Sequence, residues 1–285
     1  MVQQPRFSSL PGMRKITQLL GWNRTSTFLM SGFIAIVMLI IIVWRPLAEE
    51  YFSNYNPDIP FWVQFDWLLL GIFLVMSLLI MAGANLRYDI WIVMVGIFGG
   101  LVIESWGTQT SLWTYYTSER PPLWIIPAWP IASLAIDRIT RLFDRWTPRA
   151  SKRIWYWVYW IVFAGFYTLL WIFTFPTIDK SLTILALITC SFLIITPTNH
   201  KTAIITFIAG SGLGYFLERW GTTRECWTYY TFETPPVFAV FAHGLAAVAF
   251  WRTRLLIEKY IFPILKLTPN VNYQSESSLE KETPG

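Results

Sequence analysis

One nineteen-residue stretch is written twice in this chain. Residues 104–122 read Glu-Ser-Trp-Gly-Thr-Gln-Thr-Ser-Leu-Trp-Thr-Tyr-Tyr-Thr-Ser-Glu-Arg-Pro-Pro. Residues 218–236 read Glu-Arg-Trp-Gly-Thr-Thr-Arg-Glu-Cys-Trp-Thr-Tyr-Tyr-Thr-Phe-Glu-Thr-Pro-Pro. The offset is 114 (218 − 104), there is no gap, and twelve of the nineteen positions are identical. Duplicated segments drift except where both copies still meet the same constraint. The repeat therefore predicts two copies of one unit around a shared centre, with the constraint concentrated in these residues.

Composition decides the medium. The chain is 54% hydrophobic, only 14% charged and holds 17 tryptophans in 285 residues. Uncharged runs of roughly 15–22 residues recur, the length that crosses a bilayer core. The expected spans lie near 27–47, 66–83, 90–105, 123–140, 154–175, 182–197, 202–219 and 236–258. The fold class is an all-α polytopic membrane protein, with eight transmembrane helices in two parallel four-helix repeats. The expected domains are a basic cytoplasmic leader (1–26), a first repeat (27–143), a second repeat (144–258) and a disordered cytoplasmic tail (259–285). The leader lacks an apolar stretch followed by a cleavage site, so it does not read as a signal peptide.

Charge sets the orientation. Arg138, Arg141, Arg145, Arg149, Lys152 and Arg153 cluster between spans four and five. They share a side with the basic leader and with Arg252, Arg254, Lys259 and Lys266, and that side is expected to be cytoplasmic. Both termini then lie in the cytoplasm and both copies of the motif on the outer face. The expected location is the plasma (inner) membrane of a bacterial cell. Four spans per copy means both insert the same way, related by an axis along the membrane normal.

Several chemistries are excluded. The chain has no phosphate-binding Gly-Lys-Ser/Thr loop, no His-Glu-x-x-His and no Cys-x-x-Cys. It has two histidines, His200 and His243, and two cysteines, Cys190 and Cys226, too far apart in the expected topology to presume a bridge. No metal and no cofactor is expected. The net charge of +5 reflects topology and implies no nucleic-acid partner. The expected partner is a membrane lipid or hydrophobic small molecule, with other membrane proteins possible.

The residues that could carry chemistry sit in register. Gly96, Gly100, Glu104 and Thr108 are spaced by four, as are Gly210, Gly214, Glu218 and Thr222. Spacing by four winds slowly along one helix face. Glycines four apart admit another helix backbone in lipid, so each glutamate is expected on the packed face. Only 14 uncharged residues separate Asp89 from Glu104, about 21 Å of helix, which sets the glutamates inside the outer edge of the hydrocarbon. An ionisable residue at such a depth is a functional candidate. It is equally explained as a carboxylate that fixes a turn by bonding to loop backbone. Gly107 and Gly221 are expected to turn the chain at the helix end. The prolines Pro121-Pro122 and Pro235-Pro236 are expected to start the next helix.

Trp106, Trp113, Tyr115 and Tyr116, with Trp220, Trp227, Tyr229 and Tyr230, are the candidate substrate-binding residues. An interfacial aromatic belt accounts for their abundance but not for their equal offsets from a glutamate. Glu104, Glu218 and His243 are the candidate catalytic residues. His243 stands where the first copy has Trp129, at about the depth of the glutamates. Asp137, at the opposite end, is expected to pair with Arg138 or Arg141.

Over 104–122 and 218–236 the motif resembles membrane carotenoid hydratases and lycopene-cyclase-like proteins. Those also carry a Glu-x-x-Gly at a helix end, then a tyrosine-rich stretch and a proline. The resemblance rests on Glu104, Gly107, Tyr115, Tyr116 and their equivalents, and it implies acid–base carbocation chemistry on an isoprenoid, with roles for the two glutamates alone. Where that family has a Gly-rich run this chain has tryptophan. An acid can protonate a double bond and aromatic faces stabilise the cation. Two other readings stay open: transport or sensing of a small cation or amphiphile, and a non-catalytic scaffold. A scaffold would display its Trp and Tyr on the surface instead of around a cavity. If the two glutamates converge, two carboxylates in low dielectric do not both ionise easily, and one is expected to hold a proton near neutral pH.

Overall fold

A computed structural model describes residues 21–43, 56, 58–147 and 151–264. Most of the expected leader (1–20) and most of the expected tail (265–285) lie outside the described residues. Among the described residues there are eight α-helices: α1 (Arg24–Val43), α2 (Trp67–Met81), α3 (Leu86–Thr110), α4 (Ala128–Trp146), α5 (Lys152–Thr174), α6 (Ser181–Ile195), α7 (His200–Thr223) and α8 (Val237–Ile264). Two three-residue strands, β1 (Trp113–Tyr115) and β2 (Trp227–Tyr229), complete the fold with short 3-10 turns. Three stretches, Leu86–Thr110, Lys152–Thr177 and Val237–Ile264, are long and apolar enough to cross a membrane, and α2 and α6 are shorter apolar helices. Large apolar side chains such as Phe98, Val102, Ile161 and Ile172 are correspondingly exposed on helix faces.

By compactness the chain divides at Leu86 and Arg87. In the first unit Asp66 caps α2 by accepting the Leu69 amide at 3.1 Å. Phe33 of α1 meets Phe73 of α2 at 5.5 Å between ring centroids. The second unit holds the two copies of the motif.

Inside the second unit, α5 carries its core on one stripe. Tyr159, Phe163, Phe166, Leu170 and Phe173 are spaced 4, 3, 4 and 3 apart, which keeps them on one helical face, and all are buried. Phe163 packs edge-on against Phe207 of α7, and Phe173 stacks on Phe238 of α8 at 4.1 Å. The Tyr159 hydroxyl donates to the Ile194 carbonyl at 2.8 Å, tying α5 to α6.

The glycine ladders lie where helices approach closely. A Cβ on Gly96 would fall 2.7 Å from the Pro130 Cα of α4, and one on Gly210 would fall 2.8 Å from the His243 carbonyl of α8. Helix α7 packs against α8, α5 and α4. In turn α3 meets α8, where a Cβ on Gly99 would strike the Phe250 ring and where Trp91 lies against Phe262. The copies thus meet through α4 on α7 and α8 on α3.

At the end of the unit far from the motif, charges pair. Arg138 binds Asp89 at 2.6 Å and Asp137 at 2.7 Å, Arg141 also binds Asp137, and Arg254 reaches Asp137 at 3.3 Å. The expected pairing of Asp137 thus holds with both arginines. Arg254 also lies over the Tyr88 ring at 4.6 Å.

Four boundaries differ from the sequence reading. Helix α3 runs to Thr110, so Glu104 lies more than a turn inside the helix and not at its end. Helix α8 continues to Ile264 because Phe262 is buried against Trp91, so the expected tail begins as helix. Pro122 opens only a 3-10 turn, and α4 starts at Ala128, whereas Pro236 leads directly into α8. Gly107 and Gly221 are helical and do not make the turn.

Candidate functional site

The turn after each helix is made by a residue that sequence reasoning passed over. Ser111 and Glu225 take up the left-handed conformation at φ 64° and 53°. The Leu112 amide reaches back to the Gly107 carbonyl at 2.9 Å and the Ser111 amide to Thr108 at 3.3 Å. In the second copy Cys226 bonds Gly221 at 2.9 Å and Glu225 bonds Thr222 at 3.2 Å. This paired bonding closes a helix C-terminus and normally selects glycine at the left-handed position. The two glycines serve another purpose. A Cβ on Gly107 would fall 1.9 Å from the Trp113 ring, and one on Gly221 would fall 2.0 Å from the Trp227 ring. Each lets an indole lie flat on the last turn of its helix.

After the turn the strands β1 and β2 pair antiparallel, one from each copy. Trp113 faces Tyr229, Thr114 faces Thr228 and Tyr115 faces Trp227. Thr228 is the counterpart of Thr114, so the pairing is that of a local two-fold axis through these two threonines. The flanking bonds obey it: the Tyr116 amide donates to Cys226 at 3.2 Å and the Tyr230 amide to Leu112 at 3.1 Å. The aromatic contacts across the pair are also equal, 5.8 Å for Trp113 with Tyr229 and 5.9 Å for Tyr115 with Trp227.

This fold-back brings an indole and a phenol donor onto each glutamate, and the following helix adds a third ring nitrogen. Glu104 accepts from Trp113 Nε1 at 3.0 Å, Tyr115 OH at 2.9 Å and Trp129 Nε1 at 3.0 Å. Glu218 accepts from Trp227 Nε1 at 2.9 Å and Tyr229 OH at 3.0 Å, and meets His243 Nε2 at 2.8 Å. Both glutamates are 4% exposed. Hydrogen bonds to a charged group are each worth about 1.5–3 kcal/mol, so these donors offset part of the cost of burying a carboxylate. Thr108 and Thr222 add a matching hydroxyl bond to the carbonyl of each glutamate, at 2.6 and 2.7 Å.

Trp129 is the functional residue missed from the sequence. Its alignment with His243 marked it as the place where the copies differ, and the shared depth was the available signal. The two rings occupy matching seats, over Gly100 and Gly214. They also touch: Trp129 and His243 stack at 5.6 Å between centroids and 21° between planes. The glutamates are therefore joined by a run of contacts, Glu104 to Trp129 to His243 to Glu218. Each carboxylate spends its bonds on its own aromatic set.

Both carboxylates line one cleft of about 1080 Å³. Its walls include Trp106, Trp113, Tyr115, Trp129, Trp220, Trp227, Tyr229 and His243. Among the described residues no lysine or arginine lines it. Two of the candidate binding residues fall outside it. Strand alternation turns Tyr116 away from Glu104, leaving it 71% exposed, and Tyr230 donates its hydroxyl to the Phe173 carbonyl at 2.8 Å. Burial first, and then the Glu104 carboxylate, hold the Tyr115 phenol well above its ordinary value; burial and Glu218 do the same for Tyr229. Both phenols thus remain donors.

Among the described residues no cluster of His, Cys, Asp or Glu could hold a metal ion. No protein-family model, curated protein or solved structure matches this chain.

Proposed function

We propose that this is an integral membrane enzyme performing acid–base chemistry on an unsaturated apolar lipid. The substrate class is isoprenoid or carotenoid, and the reaction a carbocation process such as cyclisation or hydration. The carrying observation is the cleft: two buried glutamates and a histidine in a mostly apolar, aromatic-walled space that no lysine or arginine lines among the described residues. Its wall includes Phe98, Val102 and Leu185, side chains also exposed on the helix faces, so a lipid tail could enter sideways from the bilayer. Polar groups gathered at one part of a large apolar cleft orient a long ligand with its reacting end at the glutamates. Positive charge developing on that ligand would meet carboxylates and ring faces.

The eight helices are read as eight spans, in two parallel repeats, with both termini cytoplasmic and the motif outside. Charge asymmetry along the sequence supports this orientation. A second reading, binding of a small organic cation or cationic amphiphile, is favoured by the same absence of lysine and arginine from the cleft. A scaffold is disfavoured because Trp113, Tyr115 and Tyr229 are buried around the cleft and not displayed.

Purified protein in lipid nanodiscs, incubated with a linear carotenoid and with a quaternary ammonium amphiphile, separates the readings. Conversion of the carotenoid supports the enzyme. Saturable ammonium binding without conversion supports the second reading and removes the first.

A further inference from the structure

The two copies of the motif agree in glycine, glutamate, both tryptophans and the tyrosine, and disagree in one liganding side chain. Trp129 in the first copy stands where His243 stands in the second. That difference changes what each glutamate can do. An indole N–H only donates, and no proton can be returned to it at neutral pH. Glu104 has two indoles and a phenol as its partners. Glu218 has His243 in place of the second indole. Imidazole both gives and takes a proton in the neutral range, and no other side chain lining the cleft has that property without perturbation.

We propose that the duplicated site is one asymmetric unit. The second copy, Glu218 with His243, holds and moves a proton. The first copy, Glu104 with Trp129, supplies a carboxyl group seated among partners that only donate, and an electron-rich face. This assignment rests on the acid–base reading above. Trp129 is a positioning residue that joins the two functions. Its N–H is donated to Glu104 while its face lies on the His243 ring, 5.6 Å between centroids. An aromatic face at that range stabilises a cationic ring. The charged and titratable groups facing His243 are Glu218 from α7, Tyr229 from β2, and Glu104 from α3 acting through Trp129 of α4.

The step this supports is self-contained. A proton leaves the Glu218–His243 pair for one carbon of a C=C bond, whose π electrons form the new C–H bond. The neighbouring carbon becomes cationic, between Glu104 and the ring faces. A proton lost from a carbon beside the cation returns to the pair, and the electrons of that C–H bond form a new double bond. No atoms are gained or lost, so the reaction class is isomerisation or cyclisation. Carried out in heavy water, it places solvent deuterium in the product.

The test uses full-length protein in nanodiscs and reads turnover, bound lipid and thermal stability together. His243→Gln keeps an N–H for Glu218 but cannot take up a proton. It should lose about 10²-fold or more in turnover, the scale of a lost general acid–base group, while still binding lipid. His243→Trp installs the first copy's indole and should behave alike. The exchanged double variant, Trp129→His with His243→Trp, should regain activity, because the matching glycines Gly100 and Gly214 seat either ring. Trp129→Phe keeps a ring face and should lower turnover with little change in bound lipid. Wild-type turnover in a folded His243→Gln would overturn the asymmetric assignment while leaving the enzyme reading intact, and product free of solvent deuterium would overturn both. If wild-type protein converts no lipid, both fall together.

Discussion

The smallest features of this molecule explain why a glutamate can be buried twice in an apolar cleft. Each carboxylate has three ring partners, and each contact depends on a local condition. The indole of Trp113 reaches Glu104 only because Gly107 has no side chain. Gly107→Ala and Gly221→Ala should therefore displace an indole, leave a buried carboxylate short of a bond, and cost about 1–3 kcal/mol each. Thermal unfolding in nanodiscs measures this; unchanged midpoints would contradict the seating. The phenols give a pH prediction with a definite sign. Tyr115 and Tyr229 keep their protons in the folded chain at pH values where an unfolded tyrosine, at 10.0, loses its own. Their contribution to stability is complete below about pH 10 and is lost as pH rises beyond it. The midpoint should stay level on the neutral side and decline in strong alkali, less steeply in the Tyr115→Phe, Tyr229→Phe double variant.

At the scale of elements, the glycine ladders and the strand pair do different work. The ladders let α4 lie close on α3, and α8 close on α7. Leucine at Gly100 would drive a Cβ to 2.3 Å from the Trp129 ring, whereas leucine at Ile97 changes only the branching of a partly buried side chain. Gly100→Leu should cost expression and thermal stability, and Ile97→Leu should be near neutral; equal behaviour would mean that the ladder is not a contact face. These ladders were legible in the sequence because glycine spacing and helix periodicity share one geometry. The existence of the helices was legible for the same reason, through apolar run length. Three things were not. The pairing of the two Trp-Thr-Tyr-Tyr segments with each other spans 114 residues and leaves no local mark. The left-handed turns fall on Ser111 and Glu225, residues whose types do not announce that conformation. Trp129 lies outside the repeated stretch, and only the folded chain brings its N–H to Glu104.

For the whole molecule, orientation and activity are the open quantities. On the proposed orientation, a reporter fused after Trp146 should behave as internal and one inserted near Ser111 as external; the reverse would turn the cleft's carboxylate end toward the cytoplasm. The two-fold strand pair closes over that end, so its glutamates belong to one space shared by both copies. The most direct measurement of whether that space performs lipid chemistry is a mass comparison of lipid extracts. It uses cells that make the wild-type chain, Glu104→Gln, Glu218→Gln, or none of it. The account predicts an isoprenoid species that changes only with the wild-type chain, with both glutamine variants folded and silent. Identical lipid profiles across all four, with the wild-type protein present and folded in the membrane, would contradict it.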